Sequence, residues 1–231
     1  MRAAAFAGLT PAADPMTARW VVDALRDRSG VANVVPTGYD AYVRIQHRLD
    51  TGSAANVTGN LPSESIDLLT PVLSAATTTP DRCHYGLWVG WGELHAVSNS
   101  VDVYFRVAPN ALVRLRNRYW SWRWHRRDAR RQQHTYTFVD SCPRQSWWGG
   151  RDMLLMDGPA HAVATLGARS RIADRVDRRS PQWWWPDDRR WFFANEIDHA
   201  WSYLGGAIAL IEQVEAIDGL ETVRVTTDDE R

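Results

Sequence analysis

Residues 181–206 read "PQWWWPDDRRWFFANEIDHAWSYLGG" and contain five of the thirteen tryptophans of the chain. Within them, the aromatic run "RWFFANEID" (190–198) is typical of a β-strand. Gly205 and Gly206 then precede residues 207–217, whose apolar side chains recur at helical spacing. The stretch therefore predicts a tryptophan-rich loop, a strand, a tight glycine turn and a helix in series.

Strand-like and helix-like sequence patterns also occur elsewhere in the chain, and together they set the expected fold class. They predict strands at 38–49, 83–92, 101–107, 111–120, 151–158, 190–198 and 222–226, and helices after Asp14-Pro15, over 62–77 and over 205–219. We expect an α+β fold with a single mainly antiparallel or mixed sheet of about six strands and three or four helices packed on it.

Length and composition favour one folded domain. A chain of 231 residues with 45% hydrophobic content can bury a sizeable core. We expect residues 1–15 to form a disordered leader and residues 16–231 a single domain, in which 119–150 is a long Arg/Trp-rich insertion. The apolar run before Thr10 is too short for a signal peptide, and no run reaches the ~20 apolar residues of a membrane helix. The expectation is a soluble, cytoplasmic protein without a membrane partner.

Several classes of enzyme are excluded by residue type. All 27 basic residues are arginines, balanced by 27 acidic residues. Without lysine the chain has no phosphate-loop, Schiff-base or kinase-type lysine. The only cysteines, Cys83 and Cys142, form no C-x-x-C motif, and whether they pair stays open. No His or Cys residues have zinc-ligand spacing, so we expect neither a metal nor a cofactor.

Part of the chain resembles a known group of proteins. The segment "WWWPDDRRWFFANEIDHAWSYLGGAIALIE" is similar to a family of uncharacterised actinobacterial proteins that pair a W-P-x-D-R-x-W segment with a Tyr-x-Gly-Gly turn before a helix. Ser202 stands where that family has threonine, and the Arg/Trp tract after residue 112 is longer here. The resemblance supports the expected fold and location and supplies no catalytic residue.

Carboxylates near the end of the predicted strand 190–198 are the first candidates for catalysis. A strand places Glu196 and Asp198 on one face, roughly 7 Å apart at a rise of ~3.3 Å per residue. Such a pair could perform acid/base chemistry or, with Asp157 or His199, hold a divalent cation. The simpler interpretation is that both carboxylates pair with arginines such as Arg189 and Arg190.

A ligand groove is the second candidate, formed by the tryptophan-rich loop and the glycine turn. Exposed indoles stack on flat ligands, and free N–H groups before a helix can bind an anion. Buried tryptophans and a purely structural turn are the commoner outcome. We expect Trp185 and Trp191 in the core and at least one of Trp183 and Trp184 at a surface. The predicted ligand-binding residues are Trp183, Trp184, Asp188, Arg189, Tyr203, Gly205 and Gly206.

Residues 114–134, "RLRNRYWSWRWHRRDARRQQH", are the third candidate. They contain eight arginines and three tryptophans against one acidic residue. Arginines interleaved with aromatic residues can hold phosphates while the rings stack on bases. The alternative is a surface insertion whose arginines pair with the protein's own acids. The nucleic-acid-binding candidates are Arg114, Arg116, Arg118, Trp122, Arg123, Arg126 and Arg127.

These candidates lead to one expected function and two alternatives. We expect a non-catalytic, cytosolic binding or interaction protein, whose partner is an unknown protein or small molecule. The first alternative is a carboxylate-based or metal-dependent hydrolase using Glu196 and Asp198. The second is nucleic-acid binding through residues 114–131, which the zero net charge does not favour.

Overall fold

The structure is a computed structural model that describes residues 6–25, 30–47, 58–91, 94, 137–147, 151–169 and 176–229. The chain divides into two compact units, one formed by Met1–Val89 with Cys142–Arg231 and the other by Gly90–Ser141. The described part of the second unit includes a helical segment at 137–141. The predicted strands at 101–107 and 111–120, and most of the predicted insertion, lie outside the described residues.

The first unit is built on a large antiparallel sheet. Its described strands are β1 (Thr10–Pro11), β2 (Ala41–Gln46), β3 (Cys83–Trp88), β4 (Arg144–Trp147), β5 (Arg151–Gly158), β6 (Gly167–Arg169), β7 (Val176–Arg178), β8 (Trp183–Pro186), β9 (Trp191–Asn195), β10 (Trp201–Gly206) and β11 (Thr222–Val225). Nine of these strands form the main sheet in the order β1–β5–β3–β8–β9–β10–β2–β11, with β4 also paired to β5. β6 and β7 form a separate hairpin.

Helices cover both faces of this sheet. The described α-helices of the first unit are α1 (Arg19–Ala24), α2 (Ser63–Ala75) and α3 (Ile208–Glu215), and short 3-10 helices lie at Val31–Asn33 and Ala160–Thr165. α2 contacts α3, and α3 contacts β10 and β2. On β9, Trp191 donates its indole N–H to the carbonyl of Leu73 in α2, whereas Phe192 packs against Trp20 of α1. Because successive residues of a strand point to opposite faces, α1 and α2 lie on opposite sides of the sheet.

The predicted fold class is wrong, because it has too few strands and gives helices too large a share of the fold. The sheet has nine strands rather than about six, and all its strand pairs are antiparallel. β1 and β4 are only two and four residues long, too short for a periodic pattern to indicate. β8 has the burial pattern of a strand covered on both faces, so its sequence "WWWP" shows no alternation of polar and apolar residues.

Aromatic residues fill both faces at the centre of the sheet. Trp185 stacks on Phe192 with ring centroids 5.6 Å apart, and Trp184 meets Trp191 edge to face at 5.0 Å on the other side. Trp183, Trp184, Trp185 and Trp191 are all at most 2% exposed. The expectation that Trp185 and Trp191 are core residues is confirmed, and the expectation that Trp183 or Trp184 reaches a surface is wrong.

Gly205 and Gly206 are strand residues rather than a turn. They end β10, where they pair with β9 on one side and β2 on the other. A Cβ atom on Gly205 would lie 2.7 Å from a ring carbon of Tyr39 and 2.9 Å from one of Tyr42. The glycine therefore allows two aromatic rings to lie against the strand backbone. The predicted helix does follow, as α3.

Residues 6–15 belong in part to the sheet. Thr10 and Pro11 pair with β5, and Phe6 and Leu9 are buried.

The predicted helix over 62–77 is confirmed as α2, which continues through Pro71. The predicted strands at 38–49, 83–92, 151–158, 190–198 and 222–226 are confirmed in their central residues as β2, β3, β5, β9 and β11. In the described part of the chain, no helix is both long enough and apolar enough to cross a membrane.

Candidate functional site at the β9–β10 hairpin

Arg151, the first residue of β5, holds both acidic residues that follow β9. Its Nη1 donates to Oε1 of Glu196, and its Nη2 donates to Oδ2 of Asp198 at 2.7 Å. The exposed fraction is 1% for the Glu196 side chain, 72% for Asp198 and 23% for Arg151. The predicted pairing with arginine is thus confirmed, but the partner is not Arg189 or Arg190. One guanidinium closes over a buried carboxylate at the protein surface.

An indole lies on the same hairpin as this ion pair. Asn195 at the end of β9 pairs with Ser202 on β10, so Glu196 and Trp201 are the next residues toward the connecting turn. The His199 ring stacks on Trp201 with centroids 4.8 Å apart. On β2, the Arg44 guanidinium lies 5.3 Å from the centre of the same indole. We call Arg44, Arg151, Glu196, Asp198, His199 and Trp201 the hairpin cluster.

Two buried polar atoms in the hairpin cluster lack a hydrogen-bond partner among the described residues. They are Oε2 of Glu196, which is an acceptor, and Nε of Arg44, which is a donor. An unpaired polar atom in the interior costs about 1–3 kcal/mol, and more when the group is charged. Buried indole, phenol and amide atoms without a partner also occur elsewhere in the described residues, but among those residues only this cluster has them on a carboxylate and a guanidinium, for which a missing partner costs most. The hairpin cluster is therefore the strongest candidate site in the described residues.

The structure separates the predicted ligand-binding residues into two groups. Trp183, Trp184 and Tyr203 are buried in the sheet. Tyr203 accepts a hydrogen bond at 2.8 Å from the indole N–H of Trp201, which links it to the hairpin cluster. Gly205 is covered by aromatic rings, so the backbone there does not present an open anion site.

Asp188 and Arg189 lie on the turn between β8 and β9, at the other end of these strands from the hairpin cluster. Asp188 accepts hydrogen bonds from the hydroxyls of Thr77 and Thr78 and from the Thr78 backbone N–H, each at 2.8 Å. Arg189 has a left-handed φ of 54°, and its guanidinium lies 4.6 Å from the centre of the Trp20 ring. Both residues fasten neighbouring segments to the sheet, and they do not converge with Tyr203 on one site.

A buried serine–histidine pair was not found by sequence reasoning. Ser202 Oγ lies 2.7 Å from Nε2 of His47, and neither residue is exposed. No local pattern connects Ser202 with His47, because the two residues are 155 positions apart along the chain. The correct partner follows β2, which pairs with β10, and only the strand register could have revealed it.

Cysteine and metal chemistry find little support in the described residues. Cys83 and Cys142 are both buried thiols that are not joined to each other, and burial raises the pKa of each thiol to about 12. Such thiols stay protonated and unreactive at neutral pH. Within the described ranges, no three His, Cys, Asp or Glu side chains are grouped so as to hold a metal ion. The candidate nucleic-acid-binding residues Arg114 to Arg127 lie outside those ranges.

Comparison with known proteins does not identify this chain. No family model, no curated protein and no solved structure matches it. The resemblance to the actinobacterial family therefore stays a prediction. The hairpin cluster is the remaining candidate; the sequence pointed to Glu196, Asp198 and His199 as candidate residues but not to Arg151 or Arg44.

Proposed function

We propose that this chain is a cytoplasmic, non-catalytic binding protein that takes a small ligand with a cationic nitrogen at the hairpin cluster. The observation that carries the proposal is the unpaired Oε2 atom of the buried Glu196. A buried carboxylate needs a compensating positive charge and donors for both of its oxygens. Arg151 supplies the charge but bonds only one of these oxygens.

The surroundings of Glu196 support a cationic ligand rather than an anionic one. Asp198 is largely exposed next to the buried carboxylate and can attract a cation from solvent. The Arg44 guanidinium lies 5.3 Å from the centre of the Trp201 ring, a cation–π contact that supports a cationic ligand near this indole. Arg151 is the partly exposed cover of the site, so an entering ligand must move its side chain or bind beside it.

The hydrolase alternative has weaker support. An acid/base pair needs carboxylates that can reach a substrate and exchange protons with it. Here Glu196 and Asp198 share one guanidinium, and Glu196 is buried. The same contacts favour a receptor for charge over a catalytic pair.

Isothermal titration calorimetry with methylguanidinium, agmatine and putrescine tests the proposal. The wild-type protein should show saturable binding of at least one of these cations, and the Glu196→Gln variant should lose it. Asp67→Asn is the matched control, because Asp67 also pairs with an arginine, Arg178, but is 56% exposed. Absence of saturable binding, or equal affinity in the Glu196→Gln variant, would overturn the proposal.

A further inference from the structure

His84, on β3, lies between two carboxylates toward the opposite end of the strands from the hairpin cluster. Its Nδ1 is 2.8 Å from Oδ1 of Asp157 on β5, and its Nε2 is 3.4 Å from Oδ1 of Asp187 on the β8–β9 turn. The imidazole stacks on Trp185 at 5.2 Å, and only 15% of the side chain is exposed. A histidine with a carboxylate at each ring nitrogen is placed to carry a proton on both.

The same contacts tie the N-terminal segment, residues 10–17, to the sheet. The backbone N–H of Ala13 donates to Oδ2 of Asp157 at 2.9 Å, and the hydroxyl of Thr17 lies 3.4 Å from Nδ1 of His84. This segment leads directly into α1, whose Trp20 packs edge to face on Trp185 at 6.0 Å. Whatever loosens this segment from Asp157 and His84 therefore loosens the layer that covers one face of the sheet.

Three charged groups lie close to His84, on β5, on the β8–β9 turn and just before β3. Asp157 reaches it from β5 and Asp187 from the β8–β9 turn, while Arg82, two residues before His84, pairs with the other oxygen of Asp187 at 3.2 Å. Burial lowers the pKa of His84, but the hydrogen bonds and charges of Asp157 and Asp187 outweigh burial and raise the pKa above its usual value. The protonated ring is thus the form that this site stabilises.

We propose that His84 is a pH-dependent contact that holds residues 10–17 and α1 against the sheet more tightly when the ring is charged than when it is neutral. A neutral ring keeps one N–H donor, so it cannot donate to Asp157 and Asp187 together, and it loses the positive charge that attracts both carboxylates. The inference does not depend on the proposed function, because His84 lies toward the opposite end of the strands from the hairpin cluster.

The direction of the pH effect follows from linkage. Because the pKa of His84 is higher in the folded state than in the unfolded state, its contacts contribute their full stabilising free energy at pH values below the unfolded pKa of about 6.5. Its contribution is lost as the pH rises through the higher pKa of the folded state. The N-terminal segment should therefore be protected near pH 6 and less protected in mild alkali.

Hydrogen–deuterium exchange, read by mass spectrometry and corrected for intrinsic rates, tests the proposal on the full chain. Protection of residues 10–21 should fall several-fold between mildly acidic and mildly alkaline pH, while β10 stays protected. In the His84→Gln variant this pH dependence should disappear. In Asp187→Asn the midpoint should move to lower pH, because one of the two anions that favour the charged ring is gone.

A second variant, Asp187→Asn, keeps the test informative if His84→Gln does not fold. Asp187 is 43% exposed, so its substitution should leave the fold intact even where His84→Gln does not fold. Nuclear magnetic resonance titration of the His84 ring in wild type and Asp187→Asn gives the second readout. Protection that does not change with pH in the wild type, or an identical midpoint in Asp187→Asn, would overturn the proposal.

Discussion

Asp188 accepts two hydrogen bonds from Thr78, one from its backbone N–H and one from its hydroxyl, both at 2.8 Å. Asp188 belongs to the turn between β8 and β9, and Thr78 to the connection between α2 and β3. A third bond arrives from the hydroxyl of Thr77. The acidic turn of the W-P-x-D-R-x-W segment thus joins a central hairpin to the end of a helix, and its role is structural.

Replacing Asp188 with alanine should destabilise the protein by about 1–3 kcal/mol. The change leaves the Thr77 and Thr78 donors without their charged acceptor, and bonds to charged groups are worth about 1.5–3 kcal/mol each in favourable cases. Urea denaturation followed by tryptophan fluorescence measures the loss. Asp23→Ala is the control, because the pair that Asp23 forms with Arg19 within α1 is exposed and is worth less than about 0.5 kcal/mol.

The contribution of Asp188 should also depend on pH. Partial burial raises the pKa of Asp188, but the hydrogen bonds from Thr78 and Thr77 outweigh burial and lower the pKa below its usual value. Stability from this group is therefore present above the unfolded pKa of about 3.9 and is lost as the pH falls through the folded pKa. The stability difference between wild type and Asp188→Asn should shrink in acid. A difference that stays constant down to pH 2 would contradict the assigned role.

Two neighbouring glycines should respond differently to alanine. The new Cβ atom of Gly205→Ala meets the rings of Tyr39 and Tyr42 at 2.7 and 2.9 Å, whereas that of Gly206→Ala meets the end of the Leu210 side chain at 2.8 Å. Rings packed on a strand cannot retreat as a leucine methyl can. Gly205→Ala should cost about 1–3 kcal/mol and Gly206→Ala less. Equal thermal midpoints for the two variants would argue against the ring contact.

The two carboxylates of the hairpin cluster should differ in their effect on stability. Glu196→Gln weakens a buried ion pair and should cost about 1–3 kcal/mol. Asp198→Asn changes a side chain that is 72% exposed and should cost less than about 0.5 kcal/mol. Chemical denaturation of both variants at neutral pH decides this, and a larger loss for Asp198→Asn would show that the buried member has been misassigned.

Sequence patterns were informative where one face of an element is polar or where the element is long. The periodicity of α2 and the apolar run of β5 gave both elements nearly at their true bounds. Sequence patterns did not predict β8 and β10, because a strand that is covered on both faces lacks the alternation of polar and apolar residues by which a strand is recognised. The glycines at the end of β10 added to the error, since a glycine pair usually indicates a turn.

The candidate site could be predicted only in part for a related reason. Glu196 and Asp198 are close along the chain, so their spacing was visible in the sequence. Arg151 is 45 residues from Glu196 and reaches it from β5, across a sheet whose strand order no local pattern encodes. His47 and Ser202 are separated by 155 residues and show the same limit.

Removing Arg151 should open the proposed site further to an external cation. Arg151→Ala leaves Glu196 buried without its counter-charge and should destabilise the protein by about 2–3 kcal/mol. For a protein of this size that loss lowers the melting temperature by roughly 4–12 °C. Arg178→Ala is the matched control, because Arg178 pairs with the exposed Asp67.

The most direct test of the proposed cation site is the melting temperature of Arg151→Ala titrated with methylguanidinium at low millimolar concentration. Binding beside Glu196 should raise the melting temperature in a saturable way, as expected when a ligand binds only the folded state. Arg178→Ala keeps the hairpin cluster intact, so the same titration should raise its melting temperature no more than that of the wild type, and the double variant that also carries Glu196→Gln should not respond. No increase for Arg151→Ala, or an equal increase for the double variant, would contradict a cation-binding site at Glu196.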